Sequence, residues 1–124
     1  MTNEITASKA EFKLNLQNAG LDVLDYVPER ITPPIVIVNS GSPYLIAETV
    51  GNEYRLGLNV TLVASTATNE EATEALDELI AQTVSAISTL GYVILKTVNT
   101  PFRLAANNAE YLACDLNIDL SITL

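Results

Sequence analysis

The chain predicts an α+β fold, a mostly antiparallel sheet of about four to six strands with two helices packed on one face, in a single domain. Three observations lead there. Two long stretches, Tyr54 to Val63 and Tyr111 to Leu124, alternate apolar and polar residues with a period of two, as strands with one buried face do. Two other stretches repeat apolar residues at helical spacing and run into a glycine. Pro, Gly and Asn punctuate the remainder, and no repeat, low-complexity tract or flexible linker divides the 124 residues.

The first helix runs from Asn3 or Ser8 to Ala19. Ser8 with Glu11 has the form of a capping box, Phe12, Leu16 and Ala19 supply the stripe, and Gly20 stands where a helix ends. Residues 1–7 are polar and are expected to be flexible. Leu21, Val23 and Val27 continue as a short strand with Asp22 and Asp25 turned outward. Pro28, Pro33 and Pro34 then bracket Ile35 to Val38, a strand of four β-formers. Asn39 to Pro43 reads as a turn, Tyr44 to Ala47 as a short strand or an extended loop, and Thr49 to Glu53 as a second turn.

In the alternation from Tyr54, residues Tyr54, Leu56, Leu58, Val60 and Leu62 share one face, and Arg55, Gly57, Asn59, Thr61 and Val63 the other. After a loop, Thr68 or Asn69 caps a helix from Glu70 to Thr89, whose Leu76, Leu79, Ile80, Val84, Ile87 and Leu90 form one stripe ended by Gly91. Tyr92 to Val98 is a strand closed by Pro101. The stretch from Phe102 to Ala109, with Asn107-Asn108, is expected to be a wide connection.

The closing strand puts Leu112, Cys114, Leu116, Ile118, Leu120, Ile122 and Leu124 on an apolar face. Tyr111, Ala113, Asp115, Asn117, Asp119, Ser121 and Thr123 make a small, polar, acidic one. At ~3.3 Å per residue such a strand reaches roughly 46 Å, far beyond the usual five or six residues. It is long enough to carry the core on one side and a partner on the other.

Composition excludes more than it assigns. Fifteen acidic residues against six basic ones and no histidine give a net charge of −9 and a pI near 4.2. That balance opposes nucleic-acid binding, which depends on Lys and Arg neutralising phosphates, although DNA could pass such a surface without sticking. The single cysteine, Cys114, cannot form an internal disulfide and falls on the apolar face as a small core residue. The polar N-terminus is no signal peptide, and no apolar run approaches the about eighteen residues of a membrane span.

Catalysis at neutral pH recruits histidine, tuned carboxylates or lysines, reactive cysteine or a metal, and most of these routes are closed. No phosphate-cradling glycine loop precedes a helix, and Gly41 and Gly51 read as isolated turn glycines. The acids from Glu70 to Glu78 could hold a hard cation. Their ordinary role is to complement a helix N-terminus, and they lack the spacing of a calcium loop. Asp115 and Asp119 lie ~13 Å apart along a strand, too far for an acid–base pair. The chain is therefore expected to have no catalytic residues, cofactor or metal. Its candidate functional residues are those of an interface: Tyr44, Phe102 and Arg103 as loop anchors, and Asp115, Asn117 and Asp119 as a lumen-lining or subunit-facing acidic surface.

The order of segments adds a resemblance. The run Pro33-Pro34-Ile35-Val36-Ile37-Val38, then Gly41-Ser42-Pro43-Tyr44, the strand Glu53 to Val63, the loop and helix Thr66 to Ile80, Gly91-Tyr92, Pro101-Phe102 and the strand from Tyr111 together resemble the tail terminator proteins of long-tailed bacteriophages, particularly those of actinobacterial phages. The resemblance covers about residues 28 to 124 and rests on diffuse elements rather than a signature. It implies a structural virion protein that assembles as a homo-oligomeric ring, a hexamer, at the tail-neck junction. Such a ring stops tail tube polymerisation and offers the docking surface for the head-neck connector. Its partners would be further copies of itself, the tail tube protein and the connector, with no catalysis and no membrane. Alternatives are another phage ring component, such as a neck connector or tail tube subunit, or an acidic cytoplasmic binding module.

Overall fold

The computed structural model of the chain describes residues 3–26, 30–47, 51–65, 70–106 and 109–124. The segments around Pro28, Thr49-Val50, Thr66 to Asn69 and Asn107-Asn108 lie outside it. Asn3 opens the first helix: its Oδ1 accepts the Thr6 N–H at 2.8 Å, which satisfies one of the orphan donors of the first turn. Helix α1 therefore spans Glu4–Asn18, and the Ser8 to Glu11 pair lies inside it rather than at its start. Residues 4–7, expected to be flexible, are helical. Phe12 and Leu16 are fully buried, whereas Ala19 is exposed and plays no part in docking. Gly20 at φ +92° turns the chain into β1, Val23–Leu24, with Asp22 and Asp25 exposed as expected.

Strand β1 pairs in parallel with β2, Ile35–Ala47, which is antiparallel to β3, Glu53–Ser65. Strand β2 is three times the length of the Ile35 to Val38 expectation. Asn39 to Pro43 does not turn back. The strand bulges there, losing register between Ser40 and Leu45 before pairing resumes. Gly41 and Gly57 permit this, because a Cβ on Gly57 would collide with the Pro43 carbonyl oxygen, and one on Gly41 would lie 2.9 Å from the Gly57 carbonyl carbon. Gly41 is thus a close-approach glycine, not a turn glycine, while Gly51 at φ +62° does occupy a turn.

Helix α2, Glu70–Ser88, crosses from β3 to β4, Val93–Val98. Its buried residues include Leu76, Leu79 and Ile87, and also Thr83, whose hydroxyl donates to the Leu79 carbonyl at 2.7 Å. Leu90 N–H still bonds the Ile87 carbonyl, but Gly91 has no left-handed backbone and does not cap the helix. The expected connection from Phe102 is a strand instead, β5, Phe102–Ala106, forming a hairpin with β6, Ala109–Thr123. The physical reason is that β4 and β5 occupy the same edge of β6 in succession. Asn99 between them donates its N–H to the Asp115 carbonyl at 2.8 Å, so both edges of the long strand are paired.

The sheet order is β1-β2-β3-β6-β4, with β5 also on β6, six strands that are antiparallel except at β1. The fold is α+β, with both helices on one face. Their Phe12, Leu16, Leu76, Leu79 and Ile87 meet Leu56, Leu58, Val60 and Leu62 of β3 and Cys114, Leu116, Ile118, Leu120 and Ile122 of β6 in one core. Each fully buried Leu or Ile side chain contributes roughly 1.5–3 kcal/mol relative to exposure. A second, smaller cluster lies beyond the sheet: Ile31, Ile35, Ile37, Val63, Tyr111 and Ala113 pack together, with Phe102 and Leu104 of β5 against them. That face is therefore open over only part of its length.

Candidate functional site

Because directly opposed residues of paired strands share a face, the register lays out the uncovered side as rungs. Ile35, Val63, Ala113 and Phe102 form the apolar end. Next come Thr61 and Asp115, where the Thr61 hydroxyl donates to Asp115 Oδ1 at 2.7 Å. A polar rung of Asn39, Asn59, Asn117 and Thr97 then crosses four strands, and Asn117 Nδ2 donates to Thr97 Oγ1 at 3.0 Å. Asn59 Oδ1 is buried in this rung with no donor reaching it among the described residues. The next step pairs Gly57 with Asp119 and Asp119 with Ile94, and a further rung of Ile46, Arg55 and Ser121 follows it.

Lys96 joins this end through an irregularity. Leu95 opposes Ile118 and Thr97 opposes Asn117, so Lys96 is the extra residue of a bulge in β4. Its Nζ stands 3.9 Å from Asp119 Oδ2. With the Gly41 to Pro43 bulge overhead, these residues enclose a cleft of about 290 Å³ lined by Pro43, Gly57, Lys96, Thr97, Asn117 and Asp119.

The six expected interface residues separate. Asp115, Asn117 and Asp119 lie together on the uncovered face as the alternation implied, but Asp119 is only 3% exposed. It is a buried charge, not a solvated rung, so a lysine at that position would disturb the fold. Phe102 shares the face at its apolar end and is half-buried in the second cluster, not a loop anchor. Tyr44 points elsewhere: its hydroxyl accepts from Lys9 Nζ of α1 at 2.9 Å, and the ammonium lies 5.2 Å from the ring centroid. Arg103 opposes Leu112, a residue of the helix-side face, and reaches Glu110 at 4.0 Å in the open. Periodicity does not mark Lys96 and Thr97, because a bulge leaves no trace in it. Asn59 and Thr61 stand on the face of β3 that alternation assigns them, and only the register shows that they oppose Asn117 and Asp115.

Other chemistry is sparse. Glu71, Glu74, Asp77 and Glu78 are exposed on α2, and among the described residues no group of three potential ligands converges for a metal. Burial pushes the Cys114 thiol pKa upward, with Asp115 adding to the shift, and Cys114 Sγ lies 3.0 Å from the Asn99 carbonyl. The Tyr92 hydroxyl is also raised, first by burial, against the hydrogen bond it accepts from Asn15 Nδ2 at 2.6 Å, with Glu11 adding to the rise. Neither group faces the cleft's side of the sheet. No helix among the described residues is long and apolar enough to cross a membrane. No protein-family model matches the chain, and comparison with curated proteins finds no match.

Proposed function

We propose that the chain is a structural subunit of a phage tail: a tail terminator that assembles as a homo-oligomeric ring, a hexamer, on the end of the tail tube, stops its growth and receives the head-neck connector. One observation carries the reading most. A 15-residue strand, paired on both edges and backed by two helices, presents on its other side a ladder of amides, a hydroxyl and carboxylates without a histidine or nucleophile. A rigid polar, acidic surface of this kind suits packing between subunits or a channel past which DNA slides, given the net charge of −9. The resemblance of segment order supports the same reading.

The experiment is loss of the protein from its phage, followed by electron microscopy of the lysate. Overlong tails without heads are expected; a complete absence of tails would assign it to the tube or another ring component instead. Purified protein should form rings and cap isolated tube ends. A second reading, an acidic module binding a small ligand or peptide, is favoured by the cleft beside Asp119. A stable monomer at tens of micromolar without affinity for tube ends would establish that reading over the ring.

A further inference from the structure

Asp119 is a carboxylate with 3% exposure whose only cationic partner among the described residues is Lys96. Their 3.9 Å separation lies beyond the roughly 2.7–2.9 Å of a charge-assisted hydrogen bond. Attraction is present, but no proton is shared. Burying a charge is costly unless donors meet it, and among the described residues no N–H or O–H bonds either oxygen of Asp119. On the neighbouring rung, outside the lining of the cleft, Asn59 Oδ1 is buried with no donor among the described residues, and in the lining Asn117 has committed Nδ2 to Thr97, which leaves its carbonyl oxygen an acceptor. The cleft is therefore lined by one largely buried carboxylate, by the Asn117 amide and by a single cation, Lys96. Lys96 cannot supply the deficit: it is held at the extra position of a bulge, and its side chain is 45% exposed.

We propose that this cleft binds a guanidinium group. A planar fork of N–H donors can engage a carboxylate bidentately and still reach neighbouring amide oxygens, which a single ammonium does less well. The about 290 Å³ of space sits at the lower limit for a small-molecule pocket, which suits one guanidinium and its stem. Gly57 and the Pro43 bulge shape the roof, and Asp119 Oδ1 lies 3.7 Å from where a Gly57 Cβ would be, under that roof. The proposal does not rest on ring assembly and holds for a monomer.

The test is NMR titration of the isotope-labelled full chain with N-acetyl-arginine methylamide, guanidinium ion and N-acetyl-lysine methylamide at about 0.15 M salt. Shifts at the Gly57, Asn117 and Asp119 amides, saturating in the low millimolar range, are expected for the arginine compound. Tighter binding of capped arginine than of bare guanidinium would assign the source to a polypeptide side chain, and equal binding to a free small molecule. Asp119→Asn should weaken binding by about tenfold or more, and Lys96→Met should tighten it roughly threefold to tenfold by removing the competing ammonium. If Asp119→Asn or Lys96→Met does not fold, the comparison of the arginine and lysine compounds on the wild type decides the matter, since it leaves the Lys96–Asp119 pair in place. No shifts up to about 20 mM, equal binding of the lysine compound, or weaker binding in Lys96→Met would each overturn the proposal.

Discussion

Gly57 opposes Asp119 across β3 and β6, and the two define what single residues can tolerate here. Any Cβ on Gly57 meets the Pro43 carbonyl, so Gly57→Ala must push the β2 bulge off the sheet. A loss of about 1–3 kcal/mol is expected in urea unfolding. Gly91→Ala, with nothing near its Cβ, should change stability by no more than about 0.5 kcal/mol. Cys114 makes a pH statement at the same scale. Its pKa in the folded chain is raised by burial, so its contribution to stability is fully present below the ordinary thiol value of 9.0 and is lost as pH rises through the folded value. The urea midpoint of the wild type should fall above about pH 9 more steeply than that of Cys114→Ala. Parallel curves for the two proteins would show that the buried thiol carries no such linkage.

Among the elements, α1 is the one most dependent on few residues. Phe12 and Leu16 are its only buried side chains, both at 0% exposure, and its surface ion pair Lys13–Asp25 is weak at 3.7 Å with both partners partly in water. Phe12→Ala should therefore cost about 3–5 kcal/mol, and Asn3→Ala, which removes the cap, about 1 kcal/mol. Amide exchange along α1 would report both, with Phe12→Ala exposing the whole helix and Asn3→Ala only its first turn. The sheet edges show a different economy. Strand β4 carries the Lys96 bulge, Pro101 interrupts the run into β5, and β2 carries the Pro43 bulge, all features that blunt an open edge. Edge-to-edge addition of strands is thus disfavoured at these positions.

At the scale of the molecule, the two faces of the sheet divide the labour: helices and core behind, polar rungs in front. If the front is the assembly or channel surface, Asp115→Lys with Asn117→Lys should keep the far-ultraviolet circular dichroism of the wild type while blocking ring formation or lowering phage yield by tenfold or more, about the effect of 1.4 kcal/mol on an equilibrium. Both positions are half-buried and stand on the uncovered face. Glu71→Lys with Glu74→Lys, on the outer side of α2, is the matched control and should assemble normally. Wild-type yield from the first pair would remove the front face from the assembly.

What the sequence determined by itself were the elements whose periodicity is strong and local. The second helix, the pairing faces of β3 and β6, and the burial of Cys114 follow from side-chain alternation or helical spacing, since those patterns are fixed by backbone geometry within a single element. Contacts between distant segments set the rest. Asn39 to Pro43 carries turn residues but belongs to a strand, because Gly57 on the neighbouring strand makes room for the bulge to pass over it. Phe102 to Ala106 has little strand pattern of its own and is a strand because β6 offers it an unpaired edge. Asp119 reads as one more outward acid, yet the Pro43 bulge and Lys96, both more than 20 residues earlier in the sequence, close over it. Period-two alternation assigns a face to a side chain, but whether that face meets water depends on chain segments far along the sequence that fold across it.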